Sequence, residues 1–112
     1  MNWTHLENIN QLEEVKEQEN ALIFKHSIRC SISATALSRL TRQWKSAELP
    51  QLKLYFLDLV NHRDISNAIA QTFGVEHQSP QILLLKKGHC IYDESHYGID
   101  YENIKSAIEK SL

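Results

Sequence analysis

The sequence predicts an α/β domain: one mixed β-sheet between helices, in the order βαβαββα with an extra N-terminal element. Three observations predict it. Two strongly apolar runs, Ala21 to Phe24 and Leu52 to Val60, are each followed by a stretch with helical periodicity. Strand–helix–strand units of this kind impose parallel pairing through right-handed crossovers. A third apolar run, Gln81 to Lys86, is parted from Cys90 to Tyr92 by a gap at Lys87 and Gly88 short enough for a hairpin, which adds a C-terminal antiparallel edge to the parallel strands.

The elements follow in order. A short strand around Trp3 to Leu6 opens the chain, with less patterning than any later element. Ile9, Leu12 and Val15 recur at steps of three among Glu13, Glu14, Glu17 and Glu19, which makes one apolar stripe on a short acidic helix capped by Asn8 or Asn10. Ala21 to Phe24 is too short for a helix and reads as a strand buried on both faces, surfacing at Lys25 and His26. After Cys30, the positions Ile32, Ala36, Leu37, Leu40, Trp44 and Ala47 carry helical spacing, with Ser38, Arg39, Thr41, Arg42 and Lys45 on the wet side. Pro50 ends that segment, and Leu52 to Val60 is long enough for a sheet centre. Ile65, Ala68, Ile69, Thr72 and Phe73 form a helix that stops at Gly74, the residue best able to take a left-handed C-terminal cap. Tyr101, Ile104, Ala107, Ile108 and Leu112 complete the chain as an amphipathic helix capped by Asp100.

Composition bounds the function. With 112 residues and no linker, repeat or low-complexity tract, the chain holds a single domain, residues 1–112. Twelve Lys and Arg against fourteen Asp and Glu give a net charge of −2, so no overall basic field draws it to nucleic acid or an anionic membrane. Apolar residues at 42% and charged residues at 23% fit a folded globule rather than a disordered chain. No apolar run reaches the ~20 residues of a membrane span, and Met1 to Asn10 holds no apolar signal core, so a cytoplasmic location is expected. Only three glycines are present, at 74, 88 and 98, so neither a dinucleotide fingerprint nor a P-loop can be written.

Two cysteines are too few for a disulfide framework, which leaves reactive or packing roles. Cys30 falls where a buried strand ends and a helix begins. Free backbone N–H groups and the positive end of the helix dipole favour the thiolate there, and Arg29, with Lys25 and His26 nearby, adds positive charge. Cys30 is therefore the candidate nucleophile. Ser33 stands one helical turn on, where a C-x-x-C oxidoreductase keeps its second cysteine, and its hydroxyl is placed to bond the Cys30 sulfur. Without a second sulfur, an outside low-molecular-weight thiol has to release any mixed disulfide. Cys90, between His89 and Ile91, reads as inert packing. The spacing of His89, Cys90 and His96 is not that of a zinc motif, and no metal is expected. Pro80 opens a strand and either avoids a ladder hydrogen bond or forms a cis bond with Ser79; periodicity leaves both readings open.

Taken together, FKHSIRCSIS, the stretch LDLVNHRDISNAIAQTFGVEHQSPQILLLKKGH and the terminal helix resemble a thioredoxin-like fold along nearly the whole chain. More narrowly, FKHS-x-x-C-x-IS with SPQ and Ser95-His96 resembles the YtxJ-type monothiol bacilliredoxins. That resemblance implies that Cys30 takes bacillithiol from S-bacillithiolated client proteins as a mixed disulfide, and that a second bacillithiol releases it. Bacillithiol is then a co-substrate, and no cofactor is bound permanently. The resemblance also implies that Ser79-Pro80 is cis, faces Cys30 and docks a substrate strand. It makes His96 a candidate site residue, and Lys25, His26 and Arg29 candidate partners for the ligand's carboxylates. Two departures stand out, Ser31 where the family commonly has Pro and Arg29 where it often has Thr. Ser31 adds a backbone donor beside the cysteine, and Ser31 and Arg29 join Ser33 as expected thiolate stabilisers.

The sequence also admits two rival readings. One is a non-enzymatic thioredoxin-like module whose groove beside Pro80 holds a peptide while Cys30 stays inert. The other is an iron–sulfur carrier of the monothiol glutaredoxin kind, which C-S-I-S fits poorly because it lacks the glycine and aromatic of C-G-F-S.

Overall fold

A computed structural model describes residues 1–112. Its strands are β1 (Trp3–His5), β2 (Asn20–His26), β3 (Lys53–Asp58), β4 (Gln81–Lys86) and β5 (His89–Ser95), and its helices are α1 (Gln11–Glu17), α2 (Ser31–Gln43), α3 (Arg63–Phe73) and α4 (Tyr101–Lys110). Single 3₁₀ turns at Ser46–Glu48 and His96–Gly98 complete the order. The sheet runs β1-β3-β2-β4-β5, with β1, β3 and β2 parallel and β4 and β5 antiparallel. This is the mixed sheet that the strand–helix units and the hairpin predict.

Alternation along the strands divides the core into two layers. Ala21, Ile23, Tyr55, Leu57, Leu83 and Leu85 meet Leu12 and Val15 of α1 and Ile65 and Ile69 of α3. On the other face, Leu22, Phe24, Leu54, Ile82 and Leu84 meet Ala36 and Leu40 of α2 and Tyr101, Ile104 and Ile108 of α4. β2 is buried on both faces because helices cover both, which is why its sequence runs continuously apolar rather than alternating.

The chain punctuation behaves as its chemistry requires. Gly74 caps α3 at φ 67, and Lys87 and Gly88 take φ 49 and 81 in a two-residue turn of the kind that matches strand twist. Asp100 caps α4 by accepting from the Asn103 N–H, so Asp100→Ala is expected to cost about 1 kcal/mol of unfolding free energy, read by urea denaturation.

Several local expectations are corrected. Lys25 does not surface; it is fully buried on the α3 face. Ile9 is 45% exposed and lies ahead of α1, whose N-terminal turn is held instead by Gln11 Oε1, which accepts from the Glu7 and Asn8 N–H groups. α2 stops at Gln43, leaving Trp44 edge-on against Tyr101 and Ala47 exposed in the 3₁₀ turn. The second long strand is shorter than the apolar run that predicts it, because Leu59 and Val60 pack in the turn that leads to α3.

Candidate active site

Parallel strands leave their C-terminal ends together, and the candidate residues collect at that end of β2. Ser27 to Cys30 is a tight turn: the Cys30 N–H donates to Ser27 O at 3.2 Å, and the Arg29 N–H donates to the Ser27 hydroxyl at 3.3 Å. Cys30 is the N-cap of α2, in extended conformation and half-buried, with its own carbonyl accepting from the Ala34 N–H. The sulfur thus sits at the positive end of a thirteen-residue helix. The turn exposes Ile28 and Arg29, and Ser31 begins the helix on the solvent side.

Ser33 is fully buried, but the sulfur bond that its spacing suggests is not made. Its hydroxyl accepts from the Ser27 N–H at 3.1 Å and bonds His26 Nδ1 at 2.7 Å. It therefore locks the end of β2 to the first turn of α2 across the cysteine turn. His26 lies on the α2 face with Phe24 and Phe56, whose rings stack at 6.2 Å. Burial lowers the His26 imidazole below the usual histidine range, and the Asp58 carboxylate beside it partly opposes that. Which of Nδ1 and the Ser33 hydroxyl donates in the 2.7 Å bond is set by the imidazole tautomer.

The β2–β4 register pairs Lys25 with Gln81, so Pro80 enters the sheet beside His26, at the strand end that leads into the cysteine turn. The Ser79–Pro80 peptide is cis, as the resemblance implies. Pro80 is buried, and its carbonyl accepts from the His96 N–H at 3.0 Å. His96 holds φ 55, a left-handed conformation that costs a non-glycine residue energy. The 3₁₀ turn that it begins lies over the first half of α2, where His96 and Tyr97 line a small cleft with Ile32, Thr35, Ala36 and Arg39. Arg39, assigned to the wet side, reaches across to bond the carbonyls of Tyr97 and Ile99. The turn that begins at His96 thus lies against α2, held there by the His96 N–H and by Arg39.

Lys25 and Cys90 stand elsewhere. Lys25 points to α3, so it is not available to a ligand at Cys30. Its ammonium donates to Ser66 O at 3.2 Å and to His77 Nδ1 at 3.3 Å, and burial lowers it to about 8. Cys90 pairs with Leu85, four residues along β4 from Gln81 and so about 14 Å from the cysteine end, too far for a Cys30–Cys90 bond. Burial raises its thiol, as inert packing requires. His89 and His96 flank the seven-residue β5 at opposite ends, so they cannot share one ion.

The site thus joins a half-buried cysteine at a helix N-terminus to a cis-proline on the neighbouring strand of a β1-β3-β2-β4-β5 sheet. The family model of the monothiol bacilliredoxin BrxC matches residues 4–104. The chain belongs to the monothiol bacilliredoxin BrxC family. Among solved structures, a candidate oxidoreductase with a thioredoxin fold is similar to this bacilliredoxin at 29% identity and a TM-score of 0.82, over 95% of this chain and 93% of that one. Thioredoxin from Trypanosoma brucei brucei superposes with a TM-score of 0.77 at 11% identity, over 98% and 90% of the two chains. Mitochondrial thioredoxin 3 from Saccharomyces cerevisiae does so with a TM-score of 0.68 at 18% identity, over 97% and 92%. These last two show the fold alone. Family and fold together support thiol oxidoreductase chemistry for the bacilliredoxin, and no helix is long and apolar enough to cross a membrane.

Sequence reasoning missed Ser27, Arg39, Asp58, His77 and Gln81. Arg39 carried no signal, since it sits among solvated helix positions. Ser27 did, because a serine at the first position of a turn commonly accepts from the backbone N–H two residues on.

Proposed function

We propose that this bacilliredoxin is a monothiol thiol–disulfide oxidoreductase that removes bacillithiol from S-bacillithiolated cytoplasmic proteins. The observation that carries the reading is the solitary sulfur at the α2 N-terminus. Ser33 occupies the resolving position, and Cys90 is out of reach. The Cys30 thiolate attacks the bacillithiol sulfur of the client mixed disulfide, and the client leaves as its thiolate. Cys30 now holds bacillithiol in a disulfide. A second bacillithiol thiolate attacks the sulfur of the bound bacillithiol, forming bacillithiol disulfide and returning the Cys30 thiolate. Bacillithiol is a co-substrate rather than a resident cofactor, and the protein partners are the S-thiolated clients.

The chain's own groups divide the work. Cys30 stands at the helix N-terminus with Arg29 before it in the turn, Ser31 adds a backbone donor in the first turn, and Ser33 fixes the geometry. Pro80 has no N–H and its carbonyl is taken by the His96 N–H, so the Ser79 backbone is the edge offered to the client strand. His26 lies behind Ser33 rather than in the groove, so Arg29 is the cation left to meet the ligand's carboxylates. The test is intact-protein mass spectrometry of the reduced protein mixed with bacillithiol disulfide and, in parallel, glutathione disulfide. One bacillithiol adduct on Cys30, removed by added bacillithiol, is the expected result. An unmodified Cys30 with both reagents would return the protein to the class of inert peptide-binding modules.

A further inference from the structure

Two buried polar side chains have no part in the chemistry above. Lys25 is 0% exposed and Gln81 is 1% exposed, and they are cross-strand partners on the α3 face of the sheet. Lys25 has no carboxylate partner: the ion pairs are Lys16–Glu13, Lys87–Glu19 and Lys105–Glu48. A buried ammonium without a counter-ion is costly, and an apolar side chain of the same volume would serve the core better.

What the two side chains hold is one segment. Gln81 Nε2 donates to Glu76 O at 3.0 Å, and its Oε1 accepts from the Gln78 N–H at 3.3 Å. Lys25 reaches His77 between them and anchors to Ser66 O on α3. Because an ammonium can only donate, His77 Nδ1 must accept, which fixes the Nε2–H tautomer; the Ser66 hydroxyl lies 3.3 Å from the same nitrogen. Arg63 of α3 is the other cation acting on this imidazole. Glu76, His77 and Gln78 are all exposed, and they run directly into Ser79 and the cis peptide. An exposed loop is therefore tied from beneath by two side chains that the core would not otherwise choose.

We propose that Lys25 and Gln81 are positioning residues for client docking, holding residues 76–78 so that the Ser79 backbone is presented beside Cys30. The assignment rests on the proposed function, since it names the part of the site that the client strand meets. The buried ammonium thus costs stability, and what it contributes is client binding.

Lys25→Met and Gln81→Met are the variants to test, in the full chain. In Lys25→Met, the urea midpoint at pH 7 is expected to hold or rise. The wild-type gain in stability as pH rises from about 8 to 10.5 is expected to vanish, because a depressed lysine pKa makes the unfolded state bind more protons in that window. His77, followed by NMR, should titrate at higher pH once the neighbouring positive charge is gone, whereas in Gln81→Met it should not move. With an S-bacillithiolated protein substrate, each variant should raise KM by about threefold to tenfold, the worth of a hydrogen bond, with kcat within about twofold of wild type. An unmoved His77 titration in Lys25→Met overturns the clamp whatever the reaction is. A moved titration with an unchanged KM overturns the docking role alone, and absence of wild-type turnover refutes the proposed reaction, taking the docking role with it while leaving the clamp to the titration.

Discussion

Cys30→Ser is expected to reduce release of bacillithiol from a client to the uncatalysed rate, while leaving the fold as stable as before or slightly more so. The two outcomes have separate causes. A serine hydroxyl is not ionised near neutral pH and does not attack a disulfide sulfur, so neither the mixed disulfide nor its resolution can occur. At the same position, the cysteine side chain makes no capping hydrogen bond to α2. Serine is a strong N-cap, and its oxygen can accept from the N–H of Ile32 or Ser33, a gain of up to about 1 kcal/mol. Activity lost with stability retained separates removal of a nucleophile from damage to the domain. Mass spectrometry of the client and urea denaturation read the two halves. Cys90→Ala serves as the control and should keep wild-type turnover, since that thiol lies on β5 opposite the far end of β4 and is raised by burial. Turnover persisting in Cys30→Ser would sink the assignment of the nucleophile.

The sequence carried the sheet, the helices and the position of Cys30 because each has a periodic or terminal signal. Two features made the cysteine legible: a four-residue apolar run ahead of it and a helical stripe behind it. The direction of side chains at the strand's exit was not legible. Lys25 and His26 look alike in sequence, two basic residues after an apolar run, yet they point to opposite faces because strands alternate. Which face is wet depends on α2 and α3, and both faces at this end are covered. Ser33 shows the same limit at shorter range. Its spacing places it beside Cys30, but the competing acceptors and donors, His26 Nδ1 and the Ser27 N–H, come from a strand whose position relative to the helix no local pattern records. Arg39 and Gln81 bond carbonyls and amides of distant or irregular segments, which the residue type alone does not disclose.

Ser33→Cys is expected to change the order of the reaction. N-cap and N3 side chains of a helix lie side by side, which is the geometry that lets an N-cap oxygen reach the N3 amide. A thiol at position 33 therefore stands next to the disulfide that Cys30 forms with bacillithiol. Its thiolate would attack the Cys30 sulfur and expel bacillithiol as the leaving thiolate, closing an internal disulfide two hydrogens lighter than the reduced protein. In the wild type, loss of the adduct should be first order in added bacillithiol, because the resolving sulfur comes from solution. In the variant the adduct should not accumulate, and its decay should be independent of bacillithiol concentration. The substitution also removes the oxygen that accepts from the buried Ser27 N–H at 3.1 Å, so a loss of about 1 to 3 kcal/mol in unfolding free energy should accompany it. An adduct that persists in Ser33→Cys and still decays in proportion to bacillithiol would mean that the helix start does not present residue 33 to the reacting sulfur, and that the monothiol character rests on geometry rather than on the missing sulfur alone.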